Sequence, residues 1–318
     1  MKRMIKIASV LILCAVLLLA AFAAYKVYRH FEWNNYLLWE KLEGIESAYV
    51  DIRNDLYVYN LEYPLDVDHY SFDYSWLKQS APAFIAHALG GIDGYVYTNS
   101  FEAMEEAYGN GFRIFEADIQ LVDGEILLLH DLEKAADMCG FENGDFSSED
   151  FLESDIYDRY TPMTWRDLMA FMAEHQDVYV VTDTKYDQQP YMSYVVSAMT
   201  AEAMEYDPAI LDRVIVQIYS QHMLDVVMDI YPFKSVIYTL YLSPDDNERV
   251  KAFCAQSGVE AVTMQYSRFS EDFADALNAM GVYTLVHTIN DAQQAKLLSE
   301  SGVSGIYTDF LTPADFTK

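Results

Sequence analysis

Two acidic residues, Glu116 and Asp118, stand two positions apart in the stretch FEADIQLVDGEILLLHD. On a β-strand this spacing places both carboxylates on the same face. The next residues, 122–125 (VDGE), are typical of a hairpin turn, because Asp-Gly adopts the backbone angles that such a turn needs. The apolar run after the turn ends at His130 and Asp131. The pattern predicts two carboxylates and an imidazole close together, which suits a hard cation such as Mg²⁺ or Ca²⁺ and proton transfer beside it.

From residue 83 onward, short apolar segments alternate with amphipathic ones. We predict strands at 83–87, 114–120, 179–185, 214–218, 235–240, 261–265, 282–288 and 305–308, and helices at 100–110, 164–174, 191–204, 220–231, 244–257, 271–280 and 291–301. Eight strands that alternate with helices indicate an α/β fold, a (β/α)8 TIM barrel over residues 81–318. The hairpin at 121–131 is then an insertion after the second strand, and the acidic segment 132–160 is an irregular loop at the same end.

Polar side chains follow the predicted strands at the end where barrel enzymes carry their active sites. Asp183 and Lys185 repeat the two-residue spacing and therefore share a face. The whole set comprises His87, Glu116, Asp118, Asp183, Lys185, Gln217, Gln265, His287 and Asp309. Because a random scatter of polar residues would not favour one end, this convergence predicts an active site.

Composition limits the classes of partner. The chain has 318 residues, of which 52% are hydrophobic, so it can bury one large barrel core. Its formal net charge of −30 argues against a nucleic-acid partner and against broad attraction to anionic lipids. An anionic substrate would need a metal ion and local cations at the site. Cys14, Cys139 and Cys254 show no metal-binding spacing, and we expect no disulfide.

The amino terminus resembles a membrane anchor. Residues 7–25 form a 19-residue run without charge after Lys2, Arg3 and Lys6. As a helix this run would be about 28 Å long, close to the thickness of a bilayer core. We therefore predict a transmembrane anchor at 1–25, a membrane-proximal stalk at 26–80 that packs on the barrel, and an extracellular barrel. A cleaved signal peptide, and hence secretion, is the alternative, because residues 21–23 (AFA) resemble a cleavage site.

Six motifs in order, over about residues 84–310, resemble the glycerophosphodiester phosphodiesterase family of phospholipase-C-like barrels. The family's His-Arg-Gly after the first strand resembles IAHALGG, which contains His87, and its Asn and helix resemble TNSFEAMEEAYGNGF, which contains Asn99. The acid pair and hairpin of FEADIQLVDGEILLLHD match next. The family's Glu-x-Lys strand looks like VVTDTK, and its last two strand ends look like VHTIN and GIYTD.

The resemblance implies a role for each matching residue. Glu116, Asp118 and Asp183 would hold one divalent cation, Ca²⁺ or Mg²⁺. His87 and His130 would be the acid/base pair of phosphodiester cleavage, and Lys185 would steady a phosphate oxygen or simply pair with a neighbouring carboxylate. We expect substrate contacts from Asn99, Gln217, Arg268 and His287, although Asn99 could instead only cap the helix that starts at residue 100.

The chain departs from the family pattern at several positions. Ala88 replaces the family's arginine, which contacts phosphate, and Asp183 replaces a glutamate. His287 stands where relatives often have a tryptophan, which predicts a more polar pocket wall. Arg268, after the sixth strand, lies at the right end of the barrel to replace the missing arginine; a guanidinium far from His87 would refute that hypothesis.

Three functions remain open from the sequence. The first is a metal-dependent phosphodiesterase, anchored at the cell surface, that cleaves a glycerophosphodiester to an alcohol and glycerol 3-phosphate. The second, motivated by Ala88, is a catalytically weak barrel that binds an anionic envelope ligand. The third is a phospholipase-like phosphodiesterase that acts on intact lipid. An apolar rim around the barrel mouth would support the third function, and an acidic rim would oppose it.

Overall fold

The computed structural model describes residues 67–78, 81–141, 146–185, 191–241 and 243–316. All of them belong to one compact unit, Arg53–Lys318. The predicted anchor at 1–25 and the stalk up to residue 66 lie outside the described residues. Within the described residues, no helix is both long enough and apolar enough to cross a membrane.

The described strands form one sheet that closes on itself. They are β1 Ala83–Ala86, β2 Ile114–Val122, β3 Glu125–Leu128, β4 Tyr179–Asp183, β5 Val214–Ile218, β6 Ser235–Thr239, β7 Ala261–Gln265, β8 Tyr283–His287 and β9 Gly305–Thr308. The order is β1-β9-β8-β7-β6-β5-β4-β2, and β1 pairs with β2 to complete a parallel barrel. Strand β3 pairs antiparallel with β2, with Val122 opposite Glu125. The predicted TIM barrel with a hairpin after its second strand is confirmed.

Capping residues define where the described helices begin. These helices are α1 Phe101–Gly109, α2 Leu132–Cys139, α3 Ser148–Glu153, α4 Trp165–Glu174, α5 Tyr191–Tyr206, α6 Gln221–Ile230, α7 Asn247–Ser257, α8 Glu271–Ala279 and α9 Ala292–Glu300. Ser100, Thr164 and Ser270 cap α1, α4 and α8 by accepting main-chain N–H groups in the first turn. Helices α1 and α4 to α9 separate the parallel strands, as the sequence pattern predicted.

The segment 132–160 is not the irregular loop that we predicted, because it contains α2 and α3. Asp131 caps α2 and Ser147 caps α3 through a capping box. Both helices bury apolar side chains, Met138 and Phe151 among them, in a cluster beside the hairpin. The sequence did not predict these two helices, because they are too short to show a clear helical period of apolar residues in a segment rich in acids.

Alternation along the strands divides the barrel interior into two layers. Apolar side chains that include Ile85, Ile114, Val181, Ile215, Leu285 and Tyr307 form one inner cluster. Two residues further on, and therefore on the same face, stand His87, Glu116, Asp183, Gln217, His287 and Asp309. The residues between them pack outward against the helices. The carboxyl ends of the strands thus carry a polar layer above an apolar one.

Residues 67–78, which belong to the predicted stalk, close the opposite end of the barrel. Tyr74, Trp76 and Leu77 are buried in the inner apolar cluster. The Tyr74 hydroxyl donates to the carbonyl oxygen of Val236 over 2.8 Å and accepts the N–H of Glu260 over 3.0 Å. Residues 67–78 therefore pack on the barrel, and the rest of the predicted stalk lies outside the described residues.

Candidate active site

Three carboxylates meet at the carboxyl ends of β2 and β4. Asp118 pairs in register with Asp183 on the neighbouring strand, and Glu116 lies on the same face one pleat below. One oxygen atom from each of the three residues lies within 4.8 Å of the others. Glu116 and Asp118 are fully buried. The sequence prediction that these three side chains converge is therefore consistent with the geometry.

The crowding of negative charge changes the pKa values of these acids. Burial, and then the charge of Asp118, raises the pKa of Glu116 to about 8. Burial would also raise the pKa of Asp118, but Lys185, His130 and His87 outweigh it and hold that pKa below its usual range. At neutral pH the cluster therefore keeps a proton on Glu116. Three close oxygen ligands with an excess of negative charge fit a hard divalent cation.

Lys185 lies inside this cluster. Its Nζ is 2.6 Å from Asp118 Oδ1 and 2.7 Å from Asp183 Oδ2. Burial lowers its pKa, but the charges of Asp118 and Asp183 raise it well above the ordinary value. Its main-chain N–H donates to Asp183 Oδ1 over 3.1 Å and to the Tyr219 hydroxyl over 3.0 Å. The alternative of carboxylate pairing is thus observed, with Asp118 and Asp183 as partners, and the phosphate contact stays a prediction.

His87 follows β1 and opens the short turn His87–Leu89. Its Nδ1 donates to Asp309 Oδ1 over 2.8 Å, and Asp309 Oδ2 accepts from Asn290 Nδ2 over 2.6 Å. Burial lowers the pKa of His87, but the hydrogen bond to Asp309 and the charges of the carboxylates around the ring produce a net rise. Because Nδ1 is committed to Asp309, Nε2 is the nitrogen available for proton exchange.

His130 is held in the same way at the start of α2. Its Nδ1 lies 2.5 Å from Asp131 Oδ2, and Asp131 Oδ1 accepts the main-chain N–H of Lys134 over 2.7 Å. Burial would raise the pKa of Asp131, but the hydrogen bond to His130 lowers it overall. The Asp131 carboxylate therefore both caps α2 and holds the imidazole of His130. Nε2 of His130 is again the nitrogen left for chemistry.

Tyr97 contacts both imidazoles, and the sequence did not predict a role for it. Its ring centroid is 5.0 Å from that of His87 and 4.7 Å from that of His130. The Nζ of Lys134 lies 4.2 Å from the centroid of the same ring. Tyr97 is the second of two tyrosines in YVYTN, and no pattern in the sequence distinguishes it from Tyr95.

Asn99 orients a carboxylate of the cluster. Its Nδ2 donates to Asp118 Oδ2 over 2.8 Å, and its Oδ1 accepts the main-chain N–H of Asp118 over 3.2 Å. The alternative that Asn99 caps α1 is wrong, because Ser100 is the cap. The predicted contact between Asn99 and substrate stays a prediction.

Ala88, which stands in place of the family's arginine, contributes a main-chain contact to the site. Ala88 has φ 48° and ψ 45°, and its N–H donates to Glu116 Oε2 over 2.7 Å. The guanidinium of Arg268 donates to the carbonyl oxygens of Ser243, over 3.2 Å, and of Asp245. Among the described residues, none of its hydrogen bonds reaches the carboxylate cluster or an imidazole. The structure gives no support to Arg268 as a replacement for the arginine, and its substrate contact stays a prediction.

His287 and Gln217, at the carboxyl ends of β8 and β5, line another part of the wall of the barrel mouth. The His287 ring lies 6.4 Å from the Tyr241 ring and 5.9 Å from the Tyr307 ring. Burial, and then the charges of His87 and Lys185, lowers the pKa of His287 to about 3, so this imidazole is neutral. Its Nε2 has no hydrogen-bond partner within the described part of the chain. Gln217 Oε1 lies 3.5 Å from the Tyr307 hydroxyl. The wall therefore offers polar atoms to a ligand.

Sequence comparison identifies the family. A sequence model of the Glycerophosphoryl diester phosphodiesterase family matches residues 91–312, which include the three carboxylates and His130, whereas His87 lies just before the match. Compared with curated proteins, the chain has no significant match.

Structure comparison finds the same barrel in proteins of low sequence identity. A Silicibacter pomeroyi protein assigned as a glycerophosphoryl diester phosphodiesterase superposes with a TM-score of 0.61 and 15% identity, over 75% of this chain and 95% of that one. A Parabacteroides distasonis glycerophosphodiester phosphodiesterase gives 0.58 and 16%, over 71% and 92%. An Oleispira antarctica phosphodiesterase, solved with the product sn-glycerol-3-phosphate, gives 0.57 and 18%, over 73% and 95%. From the family match, the chain belongs to the glycerophosphoryl diester phosphodiesterase family and is a phosphoric diester hydrolase.

Proposed function

We propose that this chain hydrolyses glycerophosphodiesters to an alcohol and glycerol 3-phosphate by acid/base catalysis through His87 and His130. One observation carries the proposal: two imidazoles, each tied at Nδ1 to its own carboxylate, lie beside a cluster of three acids, two of them buried. The complex of the Oleispira antarctica relative with sn-glycerol-3-phosphate supports this choice of product.

Glu116, Asp118 and Asp183 would hold one divalent cation, Ca²⁺ or Mg²⁺, because their close oxygens match the ligands that such ions prefer. A bound cation neutralises charge on the phosphoryl oxygens of a phosphodiester. Lys185, partly buried and paired with two of these carboxylates, adds a second positive charge at the same place. Asn99 keeps the Asp118 carboxylate in a fixed orientation through its two hydrogen bonds.

The two imidazoles would divide the proton transfers. One Nε2 takes the proton of the attacking oxygen, from a water or a substrate hydroxyl, and the other gives a proton to the leaving alcohol. Asp309 and Asp131 hold Nδ1 of each ring and so fix which nitrogen exchanges the proton. His287 would contribute an uncharged hydrogen-bonding nitrogen to a substrate hydroxyl, because its Nε2 lacks a partner within the described residues.

The test is the release of glycerol 3-phosphate by the full-length chain and by two histidine variants. His87→Ala and His130→Ala are each expected to reduce kcat by at least about 100-fold, since each removes a proton-transfer group. His222→Ala is the matched control, because this histidine is exposed on α6. Full activity in either site variant, with the fold intact, would refute the proposed acid/base pair.

We also propose that the barrel is attached to the outer face of the cell membrane by residues 1–25. The support is the uncharged run at 7–25 behind a basic flank. In intact cells, added protease should digest the barrel, and the full-length chain should fractionate with membranes. A barrel that resists protease until the cells are opened would contradict the proposed orientation, and a shortened chain in the medium would indicate a cleaved signal.

A substrate that carries an acyl chain is the second candidate, and an aromatic arc at the mouth favours it. Tyr241, Tyr266 and Phe310, which follow β6, β7 and β9, are 53%, 50% and 44% exposed. Tyr side chains suit the boundary between water and lipid, and the Phe310 ring adds exposed apolar surface beside them. The discriminating measurement is the ratio of kcat/KM on a lysophospholipid to that on its deacylated head-group diester. A ratio that falls when Tyr241 and Phe310 are changed to serine favours the acylated substrate, and an unchanged ratio excludes a role for the arc.

A further inference from the structure

Tyr97 has a main-chain conformation that a bulky side chain rarely adopts. Its φ is 61°, in the left-handed region that favours glycine. Asn99 and Lys185, which contact the carboxylate cluster, share this feature with φ values of 46° and 61°. Such conformations persist when the surrounding structure fixes them, and they concentrate at functional sites. The conformation of Tyr97 is therefore typical of a residue at a functional site.

The ring contacts three charged or titratable groups of the site. It meets the rings of His87 and His130 at interplanar angles of 76° and 71°, so each imidazole is nearly perpendicular to it. The ammonium group of Lys134 lies over the ring and is also 3.2 Å from Nδ1 of His130. The cation–π contact favours one placement of the tyrosine ring. Tyr97 is thus a shared neighbour of both imidazoles and is itself held by Lys134.

A single hydrogen bond at Nδ1 does not fix an imidazole, because the ring can still tilt about that bond. His87 has Asp309 at Nδ1 and His130 has Asp131 at Nδ1, and these two carboxylates lie on different elements. The Tyr97 ring supplies each imidazole with a second contact, and the same ring serves both. One side chain therefore sets the separation of two groups that must reach the same phosphodiester.

We propose that Tyr97 is a positioning residue that holds the imidazoles of His87 and His130 at the separation the reaction needs. The inference rests on the proposed function, in which both imidazoles exchange protons with one substrate. The tyrosine acts through its ring, so the phenol oxygen is dispensable. Misplacement of a catalytic group by about 1 Å lowers rates by about 100-fold, which sets the scale of the expected effect.

The experiment compares Tyr97→Phe and Tyr97→Leu in the full-length chain. Tyr97→Phe keeps the ring and is expected to retain kcat within about threefold. Tyr97→Leu is expected to lower kcat by about 10- to 100-fold, with KM and the affinity for Ca²⁺ or Mg²⁺ within about threefold of wild type. Tyr95→Leu is the matched control, since Tyr95 lies in the same loop but stacks on Tyr157 at 4.2 Å. It should retain wild-type kcat.

Two results would overturn the inference. Equal losses of kcat in Tyr97→Leu and Tyr95→Leu would assign Tyr97 a general role in loop packing. A raised KM with unchanged kcat in Tyr97→Leu would make the tyrosine a substrate contact instead. A wild-type chain without hydrolysis would refute the proposed function alone. NMR relaxation of the two imidazoles then tests the inference without turnover, because their ring motion should increase in Tyr97→Leu and stay unchanged in Tyr97→Phe.

Discussion

Replacement of Glu116 by glutamine should stabilise the cation-free protein at neutral pH while removing a cation ligand. The buried Glu116 carboxyl has a pKa of about 8 in the folded chain, compared with 4.5 as its ordinary value. At pH 7 the Glu116 carboxyl is therefore ionised in the unfolded chain, whereas in the folded, cation-free chain it keeps its proton. Glutamine keeps an amide oxygen that can accept the N–H of Ala88, so the change removes the titration with little change in packing.

The sign and size of the effect follow from proton linkage. Between pH 4.5 and about 8 the folded chain binds more protons at Glu116 than the unfolded chain does, so stability falls as the pH rises. Each pH unit in this window lowers the free energy of unfolding by about 1.4 kcal/mol. At pH 7 the protein is therefore about 3 kcal/mol less stable than at acid pH. Glu116→Gln should remove this part of the pH dependence, and a saturating cation should suppress it in the wild-type chain.

The assay is urea unfolding of chelator-treated protein at several pH values from 5 to 8. Wild type should lose stability across this range by more than Glu116→Gln does, and the two curves should converge toward pH 5. Glu105→Gln, at an exposed position on α1, is the control and should follow wild type. Parallel curves for wild type and Glu116→Gln would refute the claim that this carboxyl is protonated in the cation-free fold.

Two further predictions concern the imidazole partners and the floor of the barrel. Asp309→Ala should lower kcat on the order of 10- to 100-fold in steady-state assays, because it frees the His87 imidazole that the carboxylate orients. Cation binding should not weaken. A variant with wild-type kcat would contradict that role of Asp309. Gly258→Ala should lower the free energy of unfolding by more than about 2 kcal/mol, because its Cβ would lie 2.1 Å from the carbonyl oxygen of Tyr70 at a φ of +79°. Gly140→Ala, at a φ of +75° with open space around it, should lose only about 1 kcal/mol in the same urea titration. Equal losses of unfolding free energy in Gly258→Ala and Gly140→Ala would show that residues 67–78 do not pack as described.

The sequence predicted the barrel well because its strands are short apolar runs with polar ends. Val214–Ile218, Ala261–Gln265 and Gly305–Thr308 have the predicted boundaries at both ends. Buried parallel strands read as continuous apolar segments, and this pattern does not depend on distant contacts. The shared face of Glu116 and Asp118 likewise follows from their two-residue spacing on a strand, which is a local property that needs no tertiary contact.

The partners of the site residues could not be predicted in the same way, because they depend on distant parts of the chain. Asp309 reaches His87 across 222 positions, and only closure of the barrel brings the two together. The sequence placed Arg268 at the correct end but could not show that main-chain carbonyls occupy its guanidinium. The role of Tyr97 depends on a left-handed main-chain angle that the sequence does not reveal.

The most direct test of the account is the release of glycerol 3-phosphate from a panel of glycerophosphodiesters by the full-length chain. The rate would be measured with chelator, and then after Ca²⁺ or Mg²⁺ is restored. We predict no release with chelator and recovery with one of the two cations, and no recovery when Asp118 is changed to asparagine. Release that continues undiminished in chelator would contradict the proposed role of the three carboxylates. No release with either cation, from a folded chain that binds the ion, would contradict the proposed substrate.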